Sequence, residues 1–104
     1  MGSSAATDDG RGLVHARTLF GAIDDHLGHL VHVRPWVVEA HQEVLEGMAA
    51  AWIARGGENW LPSVDRTWVA EYVRDRPAED RLTGGIAVAE FFRWAAEEGL
   101  VPAA

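Results

Sequence analysis

The sequence contains no cysteine and no lysine, and only four prolines among its 104 residues. Without cysteine there are no disulfides, no thiolate-bound zinc, no iron–sulfur cluster and no thiol nucleophile. Without lysine all nine basic residues are arginine, and a phosphate-binding loop of the strand–glycine–lysine type has no material to be made from. Positive charge is scarce as well. Sixteen acidic residues against nine arginines leave a formal net charge of -7. Phosphate backbones repel acidic surfaces, so duplex DNA as a partner requires a local basic face that overcomes this balance. No apolar run approaches the ~18 residues needed to span a bilayer. No basic stretch followed by an apolar one opens the chain, so the sequence predicts no secretory signal and a cytoplasmic protein. No segment alternates with period two, and no sheet is expected.

What is present is apolar content arranged at helical spacing. Hydrophobic residues make up 48% of the chain, and the length fits one domain. Met1 to Gly12 is small and polar, with no apolar period, and reads as part of a flexible tail over 1–17. The folded domain is expected over 18–102. Thr18 reads as the cap of a first helix near 18–31, with Leu19, Ile23, Leu27, Leu30 and Val31 on one stripe. Arg34-Pro35 breaks it. Pro35 then opens a second helix near 36–55, with Val37, Ala40, Val44, Met48 and Ala51 inward, Leu45 and Trp52 beside them, and Gly56-Gly57 at its end.

Glu58 to Ser63 reads as a loop that tucks Trp60 and Leu61 under the bundle. Asp65 caps a short third helix near 65–76, with Val64, Trp68, Tyr72 and Val73 on its apolar face. A fourth helix is expected near 83–98, regular only from Ile86, because Gly84-Gly85 costs roughly 1 kcal/mol per glycine inside a helix. Ile86, Ala89, Phe92 and Ala96 line one of its faces, and Val88, Phe91 and Ala95 line an adjacent one. Gly99 and Leu100 supply its C-terminal stop. The expected fold is all-α, a compact four-helix bundle of orthogonal type. Its core is predicted at Leu27, Val44, Leu45, Met48, Trp68, Ile86, Ala89, Phe92 and Ala96.

The chemistry-bearing residues have plain readings. Asp25, His29 and His32 share the polar side of the first helix, with His26 adjacent. They read as a solvated face near a helix C-terminus rather than a metal site, for want of a third ligand. Glu39, Glu43 and Glu46 form an outward acidic row with nothing to bury it. Of the five tryptophans, Trp52, Trp60, Trp68 and Trp94 fall on or beside apolar stripes, and Trp36 is the exposed one. Arg74, Arg76, Arg81 and Arg93 stand among Asp75, Glu79, Asp80, Glu90 and Glu97, as surface ion pairs would. Tyr72, the single tyrosine, lies on an apolar stripe and is no nucleophile. No catalytic set and no cofactor is expected.

The order of these elements, with Phe91-Phe92-Arg93-Trp94-Ala95-Ala96-Glu97-Glu98-Gly99-Leu100-Val101 as its best part, resembles the N-terminal core-binding (SAM-like) domain of the tyrosine recombinases, the phage-integrase family. Pro35, His41, Leu45 and Met48 stand where that family places a proline, a tyrosine, a leucine and a phenylalanine. Trp68 to Arg76 resembles its short third helix. The resemblance covers about Thr18 to Pro102. It implies a non-catalytic DNA-binding module that clamps one face of a duplex during recombination and integration, while a separate domain supplies the catalytic tyrosine. The positions it turns toward DNA are Arg34, His41, Gln42, Arg81, Thr83 and Arg93. Val37, Gln42, Glu43 and Ala89 replace a threonine and several basic residues of the family pattern. The resemblance therefore implies weak, salt-sensitive binding to duplex DNA, or an acidic protein-interaction module that keeps the fold.

Overall fold

The computed structural model describes residues 18–102, and the tail predicted over 1–17 lies outside the described residues. The domain is all-α: four helices joined by short turns, with no strand among the described residues.

Helix α1 spans Leu19–Val33. Thr18 is extended and its hydroxyl accepts the Gly21 N–H at 3.1 Å, the cap expected of a threonine before an apolar period. At the other end Arg34 leaves helical geometry, as a residue before proline must, and its N–H still reaches the Leu30 carbonyl at 2.7 Å. A 3₁₀ turn, Pro35–Val37, leads into α2, Val38–Ala54. Helix α2 stops at Gly56-Gly57. Gly56 takes φ 99°, the Gly57 N–H closes on the Trp52 carbonyl at 2.9 Å, and a Cβ on Gly57 would overlap the Trp52 indole. That indole donates Nε1–H to the Glu58 carbonyl at 2.9 Å, fixing the exit of the chain.

A second 3₁₀ turn, Leu61–Ser63, buries Leu61 as the sequence predicts, with Trp60 half-buried. Asp65 then caps α3, Arg66–Arg74, by accepting from the Thr67 and Trp68 N–H groups at 2.8 and 3.3 Å. Helix α4, Ala78–Glu97, ends where Gly99 turns the chain and the Leu100 N–H returns to the Ala95 carbonyl at 2.8 Å, with Leu100 buried.

Helix α1 packs on α2, and α4 packs against both, with α3 laid on α4. Leu19, Ala22, Ile23, Leu45, Met48, Ala49, Ala87, Phe91 and Ala95 have no solvent exposure. Each large apolar side chain sealed in this way contributes roughly 1.5–3 kcal/mol relative to leaving it in water. Trp52 meets Trp68 at 5.3 Å between centroids in a tilted contact that ties α3 to α2, and Trp68 stacks on Tyr72 at 5.5 Å. The Arg66 guanidinium lies 3.9 Å from the centre of the Phe92 ring.

Four sequence expectations are corrected. Helix α4 begins at Ala78, not near 83, and runs unbroken through Gly84-Gly85. Pro77 supplies the extended residue before the first turn, and Glu79 and Asp80 meet the positive end of the helix dipole. Gly84 is buried, with the Arg76 side chain nearest to it. The same helix is rotated relative to the predicted core. Ile86 and Ala89 are exposed and Ala96 is half-buried, while Ala87, Val88, Phe91, Phe92 and Ala95 face inward. In α1, Val31 is exposed and His26 takes a core place. In α2 and α3, Ala40 is exposed, Ala51 and Trp68 are half-buried, and His41 and Val69 are buried instead.

Candidate functional site

The sites where chemistry is concentrated lie at the junction of the end of α1, the start of α2 and the middle of α4. Pro35 forces Arg34 out of α1, and the freed side chain crosses to α4, where its Nη1 donates to Glu90 Oε1 at 2.7 Å. A groove of about 320 Å³ opens beside this pair, between α1 and α4, lined among others by His26, His29, Arg93, Trp94 and Glu97.

Two histidines are buried at this junction, His26 in the lining of the groove. His26 and His41 are each 3% exposed. The His26 ring meets Phe91 edge-on at 5.5 Å and Trp94 at 5.2 Å. Both His26 nitrogens and His41 Nδ1 are buried without a hydrogen-bond partner among the described residues. Burial disfavours the imidazolium, and it lowers His26 from 6.5 to about 4, with nearby His41 adding to the shift and Glu90 opposing it. His41 is lowered too, again mainly by burial, with Glu90 opposing. At neutral pH both rings are neutral, and the His26 ring is packed against Phe91 and Trp94. No group of three or more histidine, aspartate or glutamate side chains that could hold a metal ion occurs among the described residues.

The six positions matched to DNA contacts fare unequally. His41 is buried in the three-helix junction and is unavailable to a duplex; the structure removes it from the set. Arg34 has its charge satisfied by Glu90, with its side chain 38% exposed. Gln42 is exposed and donates to Glu46 at 3.2 Å. Arg81 is exposed and spends its Nε–H on the Arg76 carbonyl at 3.0 Å. Thr83 borders a cleft in which Glu39, Glu43 and Asp80 outnumber the one cation, Arg76. Arg93 is exposed at the rim of the α1–α4 groove. Of the six, Arg34 and Arg93 line the α1–α4 groove together.

The same elements expose apolar surface. Trp36 is 76% exposed, as the sequence predicts, and Leu82 is 75% exposed. Ile86 and Val33 are also in solvent. Sequence reasoning missed Leu82 because it placed the start of α4 beyond it. The signal was present: Leu82 stands one turn before Ile86, on the face the true helix turns outward.

No family model, curated protein or solved structure matches this chain. The resemblance to recombinase core-binding domains rests on the residues quoted above. Among the described residues, no helix is long and apolar enough to cross a membrane.

Proposed function

We propose that the chain is a non-catalytic helical interaction module that engages protein through α4 and the adjoining Trp36. The observation that carries this reading is the three-quarters exposure of Leu82 and Trp36, with Arg34 next to the Trp36 turn already paired to Glu90. A leucine taken fully out of water contributes roughly 1.5–3 kcal/mol, and tryptophan is among the residues that dominate protein interfaces. The net charge of -7 supports a protein partner over a polyphosphate. The absence of cysteine and lysine, and the burial of His26 and His41, support a role without catalysis.

A second reading, the weak DNA-binding module implied by the recombinase resemblance, is favoured by one observation: Arg81, Thr83 and Arg93 are all exposed along the same helix. A fluorescence-anisotropy titration with duplex DNA, repeated across a salt series, separates the two. The interaction reading expects no saturable binding even at low salt. The DNA reading expects a dissociation constant of roughly 10⁻⁴–10⁻⁶ M that weakens steeply with salt, and a salt slope reduced by about one unit in Arg81→Ala or Arg93→Ala. Nanomolar binding that resists salt would overturn the interaction reading.

A further inference from the structure

The exposed side of α4 has a pattern that goes beyond scattered apolar residues. Glu79, Leu82, Ile86, Ala89 and Arg93 are all exposed, and their spacing runs three, four, three, four. That is the spacing of a helix seam that packs lengthwise against another helix at a shallow angle. Its centre is apolar and its ends carry opposite charges. Glu79 and Arg93 each lie seven residues from Ile86, two helical turns and about 10 Å away on either side.

The neighbouring acids are already engaged. Asp80 lies 3.9 Å from Arg76, and Glu90 is held by Arg34. Glu79 and Arg93 have no ion-pair partner among the described residues. The seam therefore ends in one anion and one cation without ion-pair partners among the described residues, with Leu82, Ile86 and Ala89 between them.

We infer that this seam binds a second copy of the same chain, the two α4 helices running antiparallel about a two-fold axis near Ile86. In that arrangement Glu79 of each copy faces Arg93 of the other, and the apolar centres close on one another. A parallel arrangement would set glutamate on glutamate and arginine on arginine. Self-complementarity under a two-fold axis is the requirement for the commonest kind of homodimer. The inference rests on the reading of the chain as a protein-interaction module and names its partner. A single helix face is smaller than the roughly 800 Å² per partner of a standard stable interface, so a weak association is expected. At physiological ionic strength the Debye length of about 8 Å screens the net charge of the two copies more than the Glu79–Arg93 contacts.

Sedimentation equilibrium of the full chain, from micromolar to millimolar concentration, tests this. The weight-average mass is expected to rise from 11.3 kDa toward twice that value. Leu82→Asp, a change at an exposed position with helicity checked by circular dichroism, is expected to hold the chain at monomer mass. Glu79→Arg leaves arginine at both ends of the seam, and Arg93→Glu leaves glutamate at both. Each variant alone is expected to be monomeric, and an equimolar mixture to recover association as a heterodimer. A wild-type chain that stays monomeric at millimolar concentration would overturn the inference, as would folded charge variants whose mixture fails to associate. Neither result bears on the broader interaction reading, which the DNA titration tests separately.

Discussion

Arg34 and Glu90 are separated by 56 residues and meet at 2.7 Å, clamping the end of α1 to the middle of α4. The pair is partly solvated, with side chains 38% and 26% exposed. Its worth is accordingly that of a favourable surface pair. A double-mutant cycle of Arg34→Ala and Glu90→Ala, read by urea unfolding, is expected to give a coupling of ~0.5–1 kcal/mol. A coupling indistinguishable from zero would mean that the helices are held by packing alone.

Acid is expected to destabilise the domain in a defined window. His26 titrates at about 4 when folded, against 6.5 for a free imidazole. Between these values the unfolded chain binds the proton and the folded chain does not. Stability is therefore full above 6.5 and falls as pH drops toward about 4, below which the loss levels off. The lowered His41 acts in the same direction. A shift of this size corresponds to a loss of roughly 3 kcal/mol. Urea midpoints measured at about pH 7 and pH 5 should differ clearly for the parent, and much less for His26→Leu. Equal pH slopes in the two would disprove the assignment to His26. At neutral pH that variant should cost little, because no hydrogen bond to the ring nitrogens is lost.

Two glycines inside helices are expected to be improvable. A Cβ added at Gly28 meets nothing within 4 Å, and one at Gly85 meets only Val73 Cγ1 at 3.9 Å. Gly28→Ala and Gly85→Ala should each stabilise by ~0.5–1 kcal/mol, which for a domain of this size raises Tm by about 2–8 °C. Gly57→Ala should do the opposite, since the methyl group would overlap the Trp52 indole. Differential scanning calorimetry of the three variants checks both signs.

The rotation of α4 has its own test. Phe91 is fully buried, whereas Ile86 is 43% exposed. Phe91→Ala is expected to cost ~3–5 kcal/mol and Ile86→Ser less than about 1 kcal/mol in denaturant unfolding. Comparable losses for the two would place the wrong face of the helix in the core.

The helix count, both side-chain caps and the glycine stops were readable because each depends on a few neighbouring residues. Thr18, Asp65 and Gly99 act where their local chemistry says they should. The face of α4 was not readable to the same degree. Ile86, Ala89, Phe92 and Ala96 form one apolar arc and Val88, Phe91 and Ala95 another, and periodicity alone does not rank two adjacent arcs on one helix. Tertiary packing against α1 and α2 decides for the second arc together with Phe92. The buried histidines escaped because imidazole is classed as polar, although His26 falls between Ile23 and Leu30 at core spacing. The Arg34–Glu90 contact depends on how distant helices dock, and no local pattern announces it.

The stack of Trp52, Trp68 and Tyr72 gives the domain an optical gauge of its own tertiary structure. Two indoles from different helices, 5.3 Å apart and inclined at 56°, are close enough to couple their electronic transitions, so part of the near-ultraviolet circular-dichroism signal is expected to be lost when α3 leaves α2. Trp36, open to water, emits at longer wavelength and is accessible to collisional quenchers. Light therefore reports separately on the docking of the smallest helix and on the covering of the outer surface, without any added label.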